Sequence, residues 1–156
     1  IDPIYNTNRI IYRDESYRRD EYVYYRWRSN PADLVTQFLK RDMGESGILK
    51  AVLHRDSRFP HSHVLEGSVD EFFESDSGKT WHAVLTISIT LMKEGESDIT
   101  KKILLQKTYS FKTPCKENKP ELLAEAMSRA MAEASAKIIK DMHAHLKTQQ
   151  QEQIDK

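Results

Sequence analysis

The feature that most constrains the fold is a strict two-residue alternation in the middle of the chain. Trp81, Ala83, Leu85, Ile87, Ile89 and Leu91 are apolar, and His82, Thr86, Ser88 and Thr90 stand between them. Successive side chains of a strand point to opposite faces, so the run reads as a long strand with one face buried and the other largely polar. A charged segment from Lys93 to Asp98, containing Gly95, then turns the chain back. Ile103, Leu105, Tyr109 and Phe111 alternate with Gln106, Thr108 and Ser110 in a returning strand with a matching apolar face. The two strands share a Thr- and Ser-rich outer face, which is either solvated or used in assembly.

The preceding segment, His63 to about Glu74, is also extended, with Leu65 and Val69 on one face and Val64 and Phe72 on the other. Gly67 within it marks a bulge or a close approach of backbone. Ser75 to Lys79 supplies a turn.

Two helices complete the pattern. Leu34, Val35, Phe38, Leu39 and Met43 recur at helical spacing and predict a helix from about Pro31 to Met43. Asn30 suits its N-cap, Pro31 its first position and Asp33 its positive dipole end, and Gly44 suits its stop. Ile48 to Leu53 then reads as a short buried strand, and a strand, helix, strand order predicts a right-handed crossover between parallel strands. Pro114 to Lys119 ends the strand pattern and Pro120 opens the final helix. Leu123, Met127, Ala130, Met131, Ala134, Ile138 and Met142 form its broad apolar face, where small alanines allow close approach to the sheet. Apolar periodicity stops after about Leu146, so residues 148–156 read as a disordered tail on a single domain spanning 1–147. The expected fold is a single α/β domain, a mixed sheet of five or six strands covered by two main helices.

A chain of 156 residues is long enough to bury a real core. Its 24 Lys and Arg balance 24 Asp and Glu, which argues against a dedicated nucleic-acid binder, since neutralising phosphates calls for a basic excess. One cysteine, Cys115, leaves no internal disulfide to form. No apolar run approaches the ~20 residues that span a bilayer. A start at Ile1 is what a processed or excised chain shows.

Catalytic chemistry finds little support. His61 and His63 would share one face of a strand, but no carboxylate or thiol stands near them at a metal-binding spacing, so a surface role is the simpler reading. His143 and His145 fall on different faces of a helix. Cys115 follows Pro114 in an expected loop, with no His base indicated. Asp70, Glu71, Glu74 and Asp76 read as solvated strand-edge charges. No phosphate-cradling glycine loop, nucleophile elbow or zinc-protease motif occurs. No cofactor and no metal is expected, and the chain reads as non-enzymatic.

The remaining feature is Arg9 to Pro31, RIIYRDESYRRDEYVYYRWRSNP, in which two runs rich in aromatic residues pair as a hairpin across Asp14 to Asp20. Alternation places Val23, Tyr25 and Trp27 on the inward side, with Pro31 completing the expected core of the motif. It leaves Tyr22, Tyr24 and Arg26 outward, and these with Tyr12 and Arg13 are the candidate partner interface, where Tyr and Arg are enriched. Arg interleaved with aromatics also fits an RNA-binding module, a less favoured reading.

The order Ile11-Tyr12-Arg13, Tyr24-Tyr25, Arg26-Trp27 and Pro31, with an amphipathic helix, a strand-rich second half and a long helix from near Pro120, resembles the auxiliary lipoprotein component of ABC-type transporters. That family serves lipid-trafficking systems of the MCE or Mla type and of the paraquat-inducible type. The resemblance implies a fold similar to the amino-terminal domain of TolB, and an upstream strand of which Ile1 to Tyr5 are at most a remnant. It implies a signal peptide and an acylated cysteine further upstream, and thus a periplasmic, membrane-anchored lipoprotein. The implied partners are an MCE-domain protein and an ABC permease and ATPase complex, with possible homo-oligomerisation and no nucleic acid. The implied task is to help phospholipid or another hydrophobic molecule pass between membranes. A soluble carrier of a hydrophobic ligand is the alternative, and it requires an enclosed apolar pocket of about 300 Å³ or more.

Overall fold

The computed structural model describes the backbone of residues 5–16 and 18–154, with side chains to residue 148. The elements are β1 (Arg9–Arg13), β2 (Arg19–Arg26), α1 (Pro31–Glu45), β3 (His63–Asp76), β4 (Trp81–Lys93), α2 (Ile99–Lys102), β5 (Ile103–Cys115) and α3 (Pro120–Ile154). They form a mixed five-stranded sheet in the order β2-β1-β3-β4-β5, with β1 parallel to β3 and every other pair antiparallel. Ile1 to Ile4 of the expected upstream strand lie outside the described residues, and Tyr5 is buried in the core.

The alternation in β4 does what its pattern requires. Ala83, Leu85, Ile87, Ile89 and Leu91 are all buried on the helix side. The register pairs Leu65, Val69 and Phe72 of β3 with Leu91, Ile87 and Leu85, and pairs Leu105, Tyr109 and Phe111 of β5 with the same three residues. A bulge between Val69 and Glu71 inserts one extra residue. It therefore brings Phe72 onto the same inner face as Val69 and Leu65, where unbroken alternation would have set it opposite. Ile103 pairs with Met92 after a further register shift and is exposed, so it does not continue the inner face.

Helix α3 lies on β4 and β5, and α1 lies beside it against β3. Leu123, Ala126, Ala130, Ala134 and Ile138 of α3 have no exposed surface, and Pro31, Leu34, Val35, Leu39 and Met43 of α1 are buried. Asp141 of α3 binds β5 through Lys107 at 2.6 Å and the Tyr109 hydroxyl at 2.8 Å. Those two hydrogen bonds hold its carboxyl below the usual range, while burial pushes the Tyr109 hydroxyl up.

Four expectations are corrected. Helix α1 continues past Gly44 to Glu45, with Ser46 as its cap and Gly47 next in the left-handed region at φ 67°. Residues 48–53 form no strand, because Leu49 and Val52 alone pack on the core while Ile48 and Leu53 face solvent. The strands flanking α1, β2 and β3, are antiparallel with β1 between them, so the parallel crossover is the β1–β3 pair. The backbone of α3 stays helical to Ile154, through the residues read as a disordered tail, since Gln, Glu and Lys are good helix formers without an apolar stripe. The short helix α2, with Asp98 as N-cap, had no sequence signal beyond its charged turn.

Gly67 of β3 pairs with Ile89 of β4, and the β4 backbone leaves no room there for a side chain. A Cβ there would lie 2.7 Å from the Ser88 carbonyl oxygen, a backbone atom that cannot move without disturbing the ladder. Gly67→Ala is therefore expected to lower unfolding stability by about 1–3 kcal/mol in a urea titration.

Candidate partner-binding surface

The hairpin β1–β2 forms one edge of the sheet, and its register is irregular. Arg13 pairs with Arg19 and Ile11 with Glu21, but Arg9 pairs with Arg26, so residues 22–25 of β2 arch opposite a single residue of β1. This slip rearranges the side chains that regular alternation assigns to two faces. Tyr22, expected outward, turns in: its hydroxyl lies 3.1 Å from Oε1 of Glu74 and 2.8 Å from Oδ1 of Asn118. Val23 and Tyr25, expected in the core, are instead 73% and 47% exposed. Tyr24 is 92% exposed. Trp27 packs edge-on against Phe72 at 5.3 Å, and Pro31 is fully buried.

The other candidates divide between support and surface. Tyr12 is half-buried and meets the Tyr22 ring edge-on at 5.7 Å. Arg13 is half-buried, with its guanidinium stacked 4.2 Å above the Phe73 ring on the outer face. Arg26 is exposed and makes no ion pair among the described residues, whereas Arg9 on β1 is held by Glu21. Val23, Tyr24, Tyr25 and Arg26 thus make a consecutive exposed stretch on an edge strand. Sequence periodicity placed Tyr24 and Arg26 outward but assigned Val23 and Tyr25 to the core, because the register slip has no local sequence mark.

Behind this stretch lies a buried carboxylate. Glu74 is 1% exposed, so desolvation raises its pKa above the usual carboxylate range, against the Tyr22 hydrogen bond that lowers it, with nearby Asp76 adding to the rise. Burial and the Glu74 charge push the Tyr22 hydroxyl well up, so it stays a donor. Glu74 is no solvated edge charge, and neither are its neighbours. On the outer face Glu71 accepts from Thr86 at 2.7 Å, Thr86 also reaches Ser110 at 3.1 Å, and Asp70 accepts from Ser68 at 2.6 Å and from Ser88. These bonds zip the polar face across β3, β4 and β5.

Other chemistry is not assembled. His61 lies 3.9 Å from Glu94, His63 contacts Ser62, and no group of three metal-ligating side chains occurs among the described residues. Cys115 ends β5 rather than lying in a loop, and burial raises its thiol pKa, which disfavours the thiolate. Two concavities, of about 520 and 500 Å³, are open surface grooves, one beside α1 at Lys40 and Leu49, the other on the outer face at Glu66 and Gln106.

The family model described as ABC-type transport auxiliary lipoprotein component matches residues 2–139. The chain belongs to that family. Two solved structures share the auxiliary-component fold. A Xanthomonas campestris protein assigned to the family DUF330 is 17% identical with a TM-score of 0.82, covering 95% of this chain and 81% of its own. An uncharacterized protein is 12% identical with a TM-score of 0.70, covering 90% and 84%. At these identities the likeness shows the fold alone. No curated protein matches the chain. As a family of lipoprotein components, the auxiliary proteins work in association with an ABC-type transport system at a membrane. No helix among the described residues is long and apolar enough to cross one.

The buried Glu74 gives a pH signature. Its folded pKa is raised, so its contribution to stability is present at acid pH and is lost as pH rises through the folded value. Glu74→Gln should therefore raise the thermal midpoint relative to the parent at pH 8, with the advantage vanishing near pH 4. Tyr22→Phe strips the carboxylate of its donor and should cost about 1–3 kcal/mol at pH 8.

Proposed function

We propose that this domain is a non-enzymatic docking component of an MCE-associated ABC-type transporter, assisting the passage of phospholipid or another hydrophobic molecule between inner and outer membranes from the periplasm. The supporting observation is the exposed run Val23-Tyr24-Tyr25-Arg26 on the edge strand β2, backed by the Tyr22–Glu74 hydrogen bond. Large aromatic side chains and Arg displayed in sequence on a rigid edge have the composition of an interface hot spot. Membership of an auxiliary transport family supplies the class of partner, and the MCE-type substrate-binding protein is the component we assign to this edge. The zipped outer face offers a second contact surface for assembly of several copies around a lipid path. ATP hydrolysis belongs to the partner complex.

Replacing Tyr24 and Arg26 together by Ala should weaken co-purification with the MCE-type partner at least tenfold while leaving the thermal transition within about a degree of the parent. Both side chains are exposed, so loss of folding would instead assign them to the core. An undiminished complex from a folded variant would overturn the role of this edge.

A further inference from the structure

Among the described residues, the exposed large apolar side chains fall into two groups. Val23, Tyr24 and Tyr25 lie on β2, and Ile48, Leu53, Phe59, Ile99 and Ile103 lie far from it in sequence. Three of the second group belong to the connection between α1 and β3, residues 46–62, which has no strand or helix of its own. Irregular connections longer than about 12–15 residues in a compact domain are uncommon and usually carry function. This one is tacked down by Leu49 and Val52, which pack on the core, while Ile48, Leu53 and Phe59 are 40%, 39% and 74% exposed.

Each exposed apolar side chain has a cation close by in sequence: Lys50 follows Ile48, Arg55 follows Leu53, and Arg58 precedes Phe59. All three cations are exposed. Asp56 engages Arg55 at 3.4 Å and His54 at 3.2 Å, but Lys50 and Arg58 make no ion pair among the described residues. The segment ends at Ser62, whose carbonyl accepts a 2.9 Å hydrogen bond from the Glu94 amide. That bond joins it to the β4–β5 connection, where Ile99 is 72% exposed and where Lys93, Lys101 and Lys102 offset Glu94, Glu96 and Asp98.

We propose that residues 46–62 form a membrane-surface contact that seats on an anionic phospholipid bilayer, with Phe59 entering the headgroup boundary and Lys50 and Arg58 facing lipid phosphates. The charge complementarity selects this occupant. Single apolar side chains spaced among unpaired cations suit the boundary between acyl chains and anionic headgroups. A protein hot spot instead gathers its apolar anchors into one packed cluster. The inference concerns a surface separate from β2 and holds whether or not β2 binds an MCE-type protein.

Flotation with vesicles of a zwitterionic phospholipid, with and without an anionic phospholipid, tests it on the chain as it stands. The parent should bind the anionic vesicles and lose affinity as salt is raised. Removing each cation, in Lys50→Gln and Arg58→Gln, should lower affinity about fivefold. Phe59→Ser should lower it roughly tenfold or more. These residues are exposed, so the thermal transition should not change. The Tyr24→Ala/Arg26→Ala variant should still bind vesicles, and the loop variants should still hold the protein partner, so failure of one reading leaves the other standing. Equal binding to both vesicle types, no vesicle binding by the parent, or vesicle binding unchanged by all three loop substitutions would overturn the proposal. So would loss of a protein complex in Phe59→Ser with vesicle binding intact, which would make the loop a protein contact.

Discussion

The whole structure rests on the burial of one face of β4 against the alanine-lined face of α3. Ala126, Ala130 and Ala134 have no exposed surface, so the helix axis comes close enough for Leu123 and Ile138 to reach the sheet. On the other side of that contact Leu85, Ile87, Ile89 and Leu91 are all nearly or fully buried. Both neighbours of β4 depend on this packing, because β3 and β5 are registered to it along almost their full lengths. The ladder between β3 and β4 is intolerant of added volume at Gly67, where a single methyl would meet the Ser88 carbonyl oxygen. The polar face on the opposite side needs no covering layer, since its hydroxyls and carboxylates satisfy one another across the strands.

The hairpin depends on that platform more than it contributes to it. β1 touches the sheet through a short parallel pairing at Tyr12–Glu74 and Arg13–Ser75. Side chains supply the rest of the attachment: Ile10 and Ile11 in the core, Arg13 over Phe73, Trp27 against Phe72 and Tyr22 on Glu74. An attachment made by a few long side chains lets the edge strand keep an irregular register while staying fixed in position. The Tyr22–Glu74 bond is the most sensitive of these links, because it is a buried carboxylate satisfied by a donor from the strand that carries the exposed aromatics.

Much of this was legible in the sequence where a period survives intact. β4 and the apolar face of α3 follow from 2-residue and 3.6-residue repeats, and the Asn30 cap donates its geometry directly, its side chain accepting from the Asp33 amide. Legibility fails at each break in period. The bulge after Val69 moves Phe72 to the inner face, the slip in β2 exchanges Tyr22 with Val23 and Tyr25, and the apolar spelling of residues 48–53 looks like a strand although only Leu49 and Val52 find a core. Glu74 was misread for a related reason. A carboxylate in an acidic run reads as solvated unless its donor is known, and the donor, Tyr22, lies on another strand.

The exposure of three consecutive large side chains on a free edge raises a physical question, since such edges invite indiscriminate pairing. Here the edge is protected in two ways. Arg19, Asp20 and Glu21 charge one end of β2 and Arg26 the other. The register slip also denies an incoming strand a straight ladder of amides and carbonyls over residues 22–25. Backbone pairing is thus disfavoured where side-chain contact is favoured. A specific partner must recognise the shapes and charges of Val23, Tyr24, Tyr25 and Arg26, rather than add a generic strand, and selectivity follows from the same irregularity that alternation failed to foresee.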